Sequence, residues 1–155
     1  MAKKLIKWKW TYHHHPDTEE EGFSAKGSLW TKRKPNQDGF FQIKKIKGIH
    51  KECPAKQCRE KISSLVPAGS SIPGNTGYPG DNLIRPINKR KQSLKQLTGS
   101  GFQYELQTET YVNVFYKTDI TPESYREFHA RQPFPEGITG NNTEADIIFN
   151  ATPLQ

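Results

Sequence analysis

Cysteine, methionine and valine are scarce in this chain of 155 residues, which holds two Cys, one Met and three Val. Two cysteines exclude a disulfide-dense scaffold. No apolar stretch approaches the roughly 18 residues that a membrane-crossing helix needs. There is no heptad pattern and no Gly-X-Y repeat, which excludes a coiled coil and a collagen-like rod. Leu, Ile, Val and Phe together make 31 of 155 residues, close to the level at which burial ceases to offset the entropy of folding. Aromatic residues, at 11%, pull the other way, because each buries a large area. What is left is one domain with a small, aromatic core and much loop.

Acidic residues are scarce at the front. Residues 1–100 carry 20 Lys/Arg against 8 Asp/Glu, whereas residues 101–155 carry 3 against 8. This imbalance predicts either an anionic partner at the front or head-to-tail contact between copies. The candidate contacts for nucleic acid or another anion are Lys7, Lys9, Lys32, Arg33, Lys34, Lys89, Arg90 and Lys91. The first ten residues interleave lysine with apolar residues instead of placing an apolar run after them. That pattern predicts synthesis inside the cell without secretion or membrane attachment.

Alternation is clean near the start: Ile6, Trp8, Trp10 and Tyr12 fall on one strand face, Lys7, Lys9 and Thr11 on the other. Segments 31–33 and 40–46 flank Lys34-Pro35-Asn36-Gln37-Asp38-Gly39, which reads as two strands and a turn, Gly39 supplying a positive φ. Phe41, Ile43, Ile46 and Ile49, mixed with lysines on both faces, predict an edge strand. Pro54 at a first helical position, followed by Cys58, Ile62, Leu65 and Val66, predicts a short helix stopped by Pro67. Residues 67–101 read as one long Pro/Gly-rich loop, in which Asn88 to Leu97 form a helical turn or two. Alternation from Phe102 to Tyr116 predicts a single strand of about 50 Å, which bends at a bulge or projects as an arm. Thr121-Pro122 opens a second helix that turns Tyr125 and Phe128 inward and ends before Pro133. A last strand covers 146–152. The fold class is therefore mainly β (α+β): an antiparallel sheet or a small sandwich or barrel with two short helices, the 67–101 loop and one long strand or hairpin arm.

Three constellations could carry chemistry. Tyr12-His13-His14-His15-Pro16-Asp17 offers two ring nitrogens from one strand face, those of His13 and His15, while His14 continues the face of Tyr12. These six residues resemble the histidine core of toxin nucleases of the HNH/endonuclease VII class. The resemblance implies that His13, His14 and His15 bind a divalent metal and activate water. That class carries a close second histidine pair, whereas here the next histidine is His50. His50, Cys53 and Cys58 are suitable zinc ligands in type, although structural zinc sites use a tighter cysteine pair. Cys58 on an apolar helix face is equally a buried thiol. Lysines interleaved with Trp8, Trp10 and Trp30 suit single-stranded nucleic acid, but strand alternation puts the tryptophans and the lysines on opposite faces, where a base-stacking platform needs both on one. Residues 69–76 approach a phosphate-binding loop, with Asn75 where its lysine must stand. No serine sits in a nucleophile turn.

The leading expectation is a non-enzymatic structural protein of a larger assembly, such as a virion (a phage capsid-associated, neck or tail component). Its thin core would be completed by neighbouring subunits, including copies of itself, with no cofactor and with nucleic acid as a further partner class. The alternatives are a small metal-dependent nuclease built on His13 to His15 and a nucleic-acid-binding module.

Overall fold

The computed structural model describes residues 4–14, 22–52, 59–88, 90 and 95–154. Among these residues the regular elements are all strands: β1 Ile6–His14, β2 Phe23–Thr31, β3 Phe41–Glu52, β4 Arg59–Leu65, β5 Leu83–Ile84, β6 Phe102–Leu106, β7 Tyr111–Lys117, β8 Ser124–Ala130 and β9 Thr143–Pro153. Eight of them run antiparallel in the order β1-β2-β3-β4-β6-β7-β8-β9. Because β9 pairs with β1, they form a closed barrel. Closure leaves none of these eight strands at a sheet edge. The short β5 lies outside the ring and pairs with the start of β3 through Phe41 and Ile84.

The interior is filled by side chains, as expected for a barrel of this strand number. Trp8, Trp10, Tyr12, Leu29, Ile43, Phe102, Tyr104, Leu106, Val112, Val114, Ile147 and Phe149 form one buried cluster. Large rings need space, and two glycines supply it. Trp10 lies opposite Gly27, which lies opposite Gly48. A Cβ on Gly48 would stand 2.8 Å from the Trp10 ring, and one on Gly27 would stand 2.0 Å from the Lys47 carbonyl oxygen. Either substitution therefore forces β2 and β3 apart or displaces the indole.

The expectation of a mainly β chain holds; the two short helices do not. Over the described part of the first, β4 pairs with β3 and β6. A bulge between Ile62 and Ser64 lets Ile62 and Leu65 both pack on the core. A three-residue spacing that reads as a helix thus arises from a strand with one extra residue. The second is β8, whose inward positions include the polar Glu127 and His129, so its alternation is invisible to a hydrophobicity pattern. The expected single strand from Phe102 to Tyr116 doubles back as the β6–β7 hairpin, with Glu109 at φ 63° in the turn. Phe102 pairs with Val114 and Tyr104 with Val112. Even-numbered residues face inward on both strands, so alternation continues unbroken through the turn. β3 is no edge strand, since it pairs with β2 on one side and with β4 on the other.

The described residues of the 67–101 segment are held by the barrel of the same chain. Ile84, Gln96 and Leu97 are fully buried, and Ile72 packs with Phe128 and Ala130 in a second cluster outside the wall. The Gln96 side chain donates to the Ala151 carbonyl and accepts from the Ala151 amide. It completes the backbone pairing of β9 beyond the point where β8 stops at Tyr125 and Ile147.

Candidate functional site

Two surfaces of the wall carry chemistry, one inside and one outside. Inside, β3 and β8 lie on opposite sides of the ring, and the His50 and Glu127 side chains reach each other across it. His50 Nε2 stands 2.7 Å from Glu127 Oε2, both residues being at most 2% exposed. Tyr12 donates its hydroxyl proton to the same Glu127 oxygen at 2.5 Å, and the Tyr104 hydroxyl lies 2.6 Å from that of Tyr12. Because Tyr12 directs its proton at Glu127, Tyr104 is the donor in that second contact. Burial opposes ionisation of Glu127, yet the His50 ring and the Tyr12 hydroxyl outweigh it and hold the carboxyl below its usual range. Burial and then the Glu127 charge push Tyr12 well above a normal phenol, so it remains a donor.

The network continues toward one end of the barrel. His129 is buried, its Nε2 3.0 Å from the Thr110 hydroxyl and its Nδ1 3.0 Å from Glu52 Oε1. The Arg131 guanidinium reaches both Glu52 Oε1 and His129 Nδ1, the latter at 3.0 Å. Hydrogen bonding from His129 and the charge of Arg131 lower the Glu52 carboxyl to about 2, against its partial burial. His14 stacks on Phe23 with ring centroids 4.7 Å apart, and Phe23 is parallel to the His50 ring. An aromatic stack thus runs from the end of β1 to the polar cluster.

Outside, the register of β1, β2 and β3 collects cations. Lys7 lies opposite Trp30, which lies opposite Lys45; Lys9 opposite Ser28, which lies opposite Lys47; Thr11 opposite Lys26. Farther along the same face His13, Ser24 and Lys51 form a row, and β4 adds Arg59 and Lys61. Among the described residues of this four-strand face none is acidic. The Lys7 and Lys45 ammonium groups stand 5.5 and 4.9 Å from the Trp30 ring centroid, within the range of cation–π attraction. At the barrel end beside Lys7, a cleft of about 720 Å³ is lined by Lys4, Leu5, Lys32, Arg33, Lys34 and Lys44.

The sequence-predicted residues fall into three groups. Lys32, Arg33 and Lys34 gather at the cleft, while Lys7 and Lys9 stand on the adjacent outer face. Arg90 is exposed, and Lys89 and Lys91 lie outside the described residues. His13 faces outward opposite Ser24, and His14 inward against Phe23, so these two do not share a face; His15 lies outside the described residues. His50 is on the inner wall, and Cys53 and Cys58 lie outside the described residues. Sequence reading missed Glu52, Glu127 and His129, and named Trp30 without placing it beside Lys7 and Lys45. The pairing of Trp30 with Lys7 needed the position of β2, and the meeting of His50 with Glu127 needed barrel closure.

Fold and site together define a closed, side-chain-filled β-barrel with a buried His–Glu–Tyr network and one strongly basic outer face. No protein-family model, no curated protein and no solved structure matches the chain at significant similarity.

Proposed function

We propose that the protein is a non-enzymatic binding module for single-stranded nucleic acid, which it takes on the outer face of β1–β4. The observation that carries this reading is Trp30, held on the solvent side of the sheet between Lys7 and Lys45. A sequence-tolerant reader of single strands needs an aromatic face for bases beside cations for phosphates. Trp8 and Trp10 cannot serve, being buried in the lumen; Trp30 has the cations on its own face. The rows of Lys9, Lys47 and Lys26 extend the path along the sheet, and the cleft of Lys32, Arg33, Lys34 and Lys44 gives the phosphate chain a second set of contacts.

Titration of a fluorescently labelled oligothymidylate at several salt concentrations tests the proposal. Affinity is expected to fall linearly on a log–log salt plot, with a slope of about −0.7 per phosphate neutralised. Trp30→Ala is expected to weaken binding by about 1–3 kcal/mol. A flat salt response, or undiminished binding by Trp30→Ala, sinks the reading.

A second reading, the structural component of a larger assembly, is supported by where the charges stand on the ring. Glu144 and Asp146 belong to β9, next to the lysine-bearing β1, and share the Arg126 guanidinium, which leaves one net negative charge there, an arrangement that suits contact between successive copies. Sedimentation of the purified chain tests it: particle-sized species support assembly, and a monomer at all accessible concentrations overturns self-assembly.

A further inference from the structure

We infer that the end of the barrel lumen is a binding site for a divalent transition-metal ion, held by His50, Glu52 and His129 and guarded by Arg131. The three side chains come from β3 and β8, strands that are not paired with each other in the sheet. Even so, one donor atom from each lies within 4.8 Å of the others. Two imidazoles and a carboxylate are a donor set that zinc and its neighbours accept, with a fourth position left for water.

Each histidine already has the outer partner that a metal ligand requires. Glu127 takes the Nε2 side of His50 at 2.7 Å, which leaves Nδ1 as the coordinating nitrogen, and that atom is buried without a hydrogen-bond partner. Thr110 takes the Nε2 side of His129 at 3.0 Å, which leaves Nδ1 beside Glu52, and the proton that Nδ1 shares with Glu52 in the free protein leaves as the ion binds. A carboxylate or hydroxyl behind a ligating imidazole sets its tautomer and orientation. An unpartnered buried nitrogen is costly without such a role.

Arg131 occupies the position in which a cation belongs. One of its terminal nitrogens meets both Glu52 and His129, while the other is tethered to the Asn141 carbonyl and the Thr143 hydroxyl. The guanidinium neutralises Glu52 until a metal displaces it, and at 26% exposure it has solvent to move into. Tetrahedral ligands about 2.1 Å from zinc stand roughly 3.4 Å apart, so side-chain shifts of about 1 Å bring the triad onto one ion. Glu52, at 36% exposure, lies on the open side by which an ion enters.

Spectroscopic titration of the full chain with Co²⁺, followed by Zn²⁺ competition, tests the assignment. One equivalent of Co²⁺ is expected to produce visible absorption that Zn²⁺ abolishes. Glu52→Gln, a half-exposed substitution whose fold is checked by circular dichroism, should weaken binding at least tenfold. Arg131→Met should tighten it, since the competing cation is gone. A His13→Ala/His15→Ala double variant should bind as the unaltered protein does, which separates this site from the N-terminal histidines. The assignment is overturned if neither the unaltered protein nor Arg131→Met binds Co²⁺, if binding survives Glu52→Gln undiminished, or if it is lost in the His13/His15 variant.

Discussion

The two sides of the barrel wall are finished in opposite ways. On β1–β2–β3 the outer positions are bare and cationic, and the inner positions hold Trp8, Trp10, Leu29 and Ile46. On β6–β7–β8 the outer positions are themselves covered: Gln103, Asn113 and Phe128 are buried, with Ile72 packed against Phe128. One side has a single buried face, which leaves the other free to bind. The opposite side is sandwiched between lumen and loop and serves stability. A loop that would burden a small core instead adds a second layer to it, and its sharp turns at Gly69, Gly74 and Gly77 are made at positive φ.

If that division is right, substitutions should separate stability from binding. The largest effect belongs to the lumen. Glu127→Ala removes the partner of His50 and Tyr12 and leaves their polar groups buried, so unfolding free energy should drop by about 3–5 kcal/mol in urea melts. On the covered side, Ile72→Ala should cost about 2–4 kcal/mol while oligonucleotide affinity stays unchanged; a loss below about 0.5 kcal/mol would mean that the loop does not belong to the core. On the bare side the pattern inverts. Trp30→Ala should lower affinity by about 1–3 kcal/mol, with a melting temperature close to that of the unaltered protein. Lys47→Ala should change stability by no more than about 0.5 kcal/mol and make the salt slope shallower by about 0.7.

A further measurement concerns the polar end of the lumen. The Glu52 carboxyl sits at about 2 in the folded chain against an ordinary 4.5. A depressed folded-state pKa contributes stability that is whole above about 4.5 and drains away as pH falls toward 2. In the presence of a chelator, Glu52→Gln should therefore flatten the acid limb of the stability profile between these values and leave its shape at neutral pH unaltered. An unchanged acid limb would show that Glu52 is not held by His129 and Arg131.

Much of the bare side was legible in the residues. Ile6 to Tyr12 alternate because one face meets the lumen and the other water, and burial follows the pattern residue by residue. The 34–39 turn was legible too: the Asn36 side chain accepts from the amides of Asp38 and Phe40, and Gly39 takes a φ of 87°. Three things were not. In β8 the inward residues are charged or titratable, so hydrophobicity carries no period there. In β4 a bulge mimics a helical spacing. Across β6 and β7, inward parity is kept through the turn, so a hairpin looks like one long strand. Each miss has the same origin, because the pattern records which residues are buried and says nothing about what they are buried against.

The sequence alone determined a β-rich chain, a basic front, an aromatic core and a turn at residues 34–39, because these depend on neighbours a few positions apart. Only the tertiary structure decided that the strands close into a ring, that Trp30 stands between two lysines, and that His50 meets Glu127 and lies beside Glu52 and His129. Those meetings join residues as far apart in the chain as Trp8 and Pro153, and they depend on strand order and register, which local residue preferences do not encode.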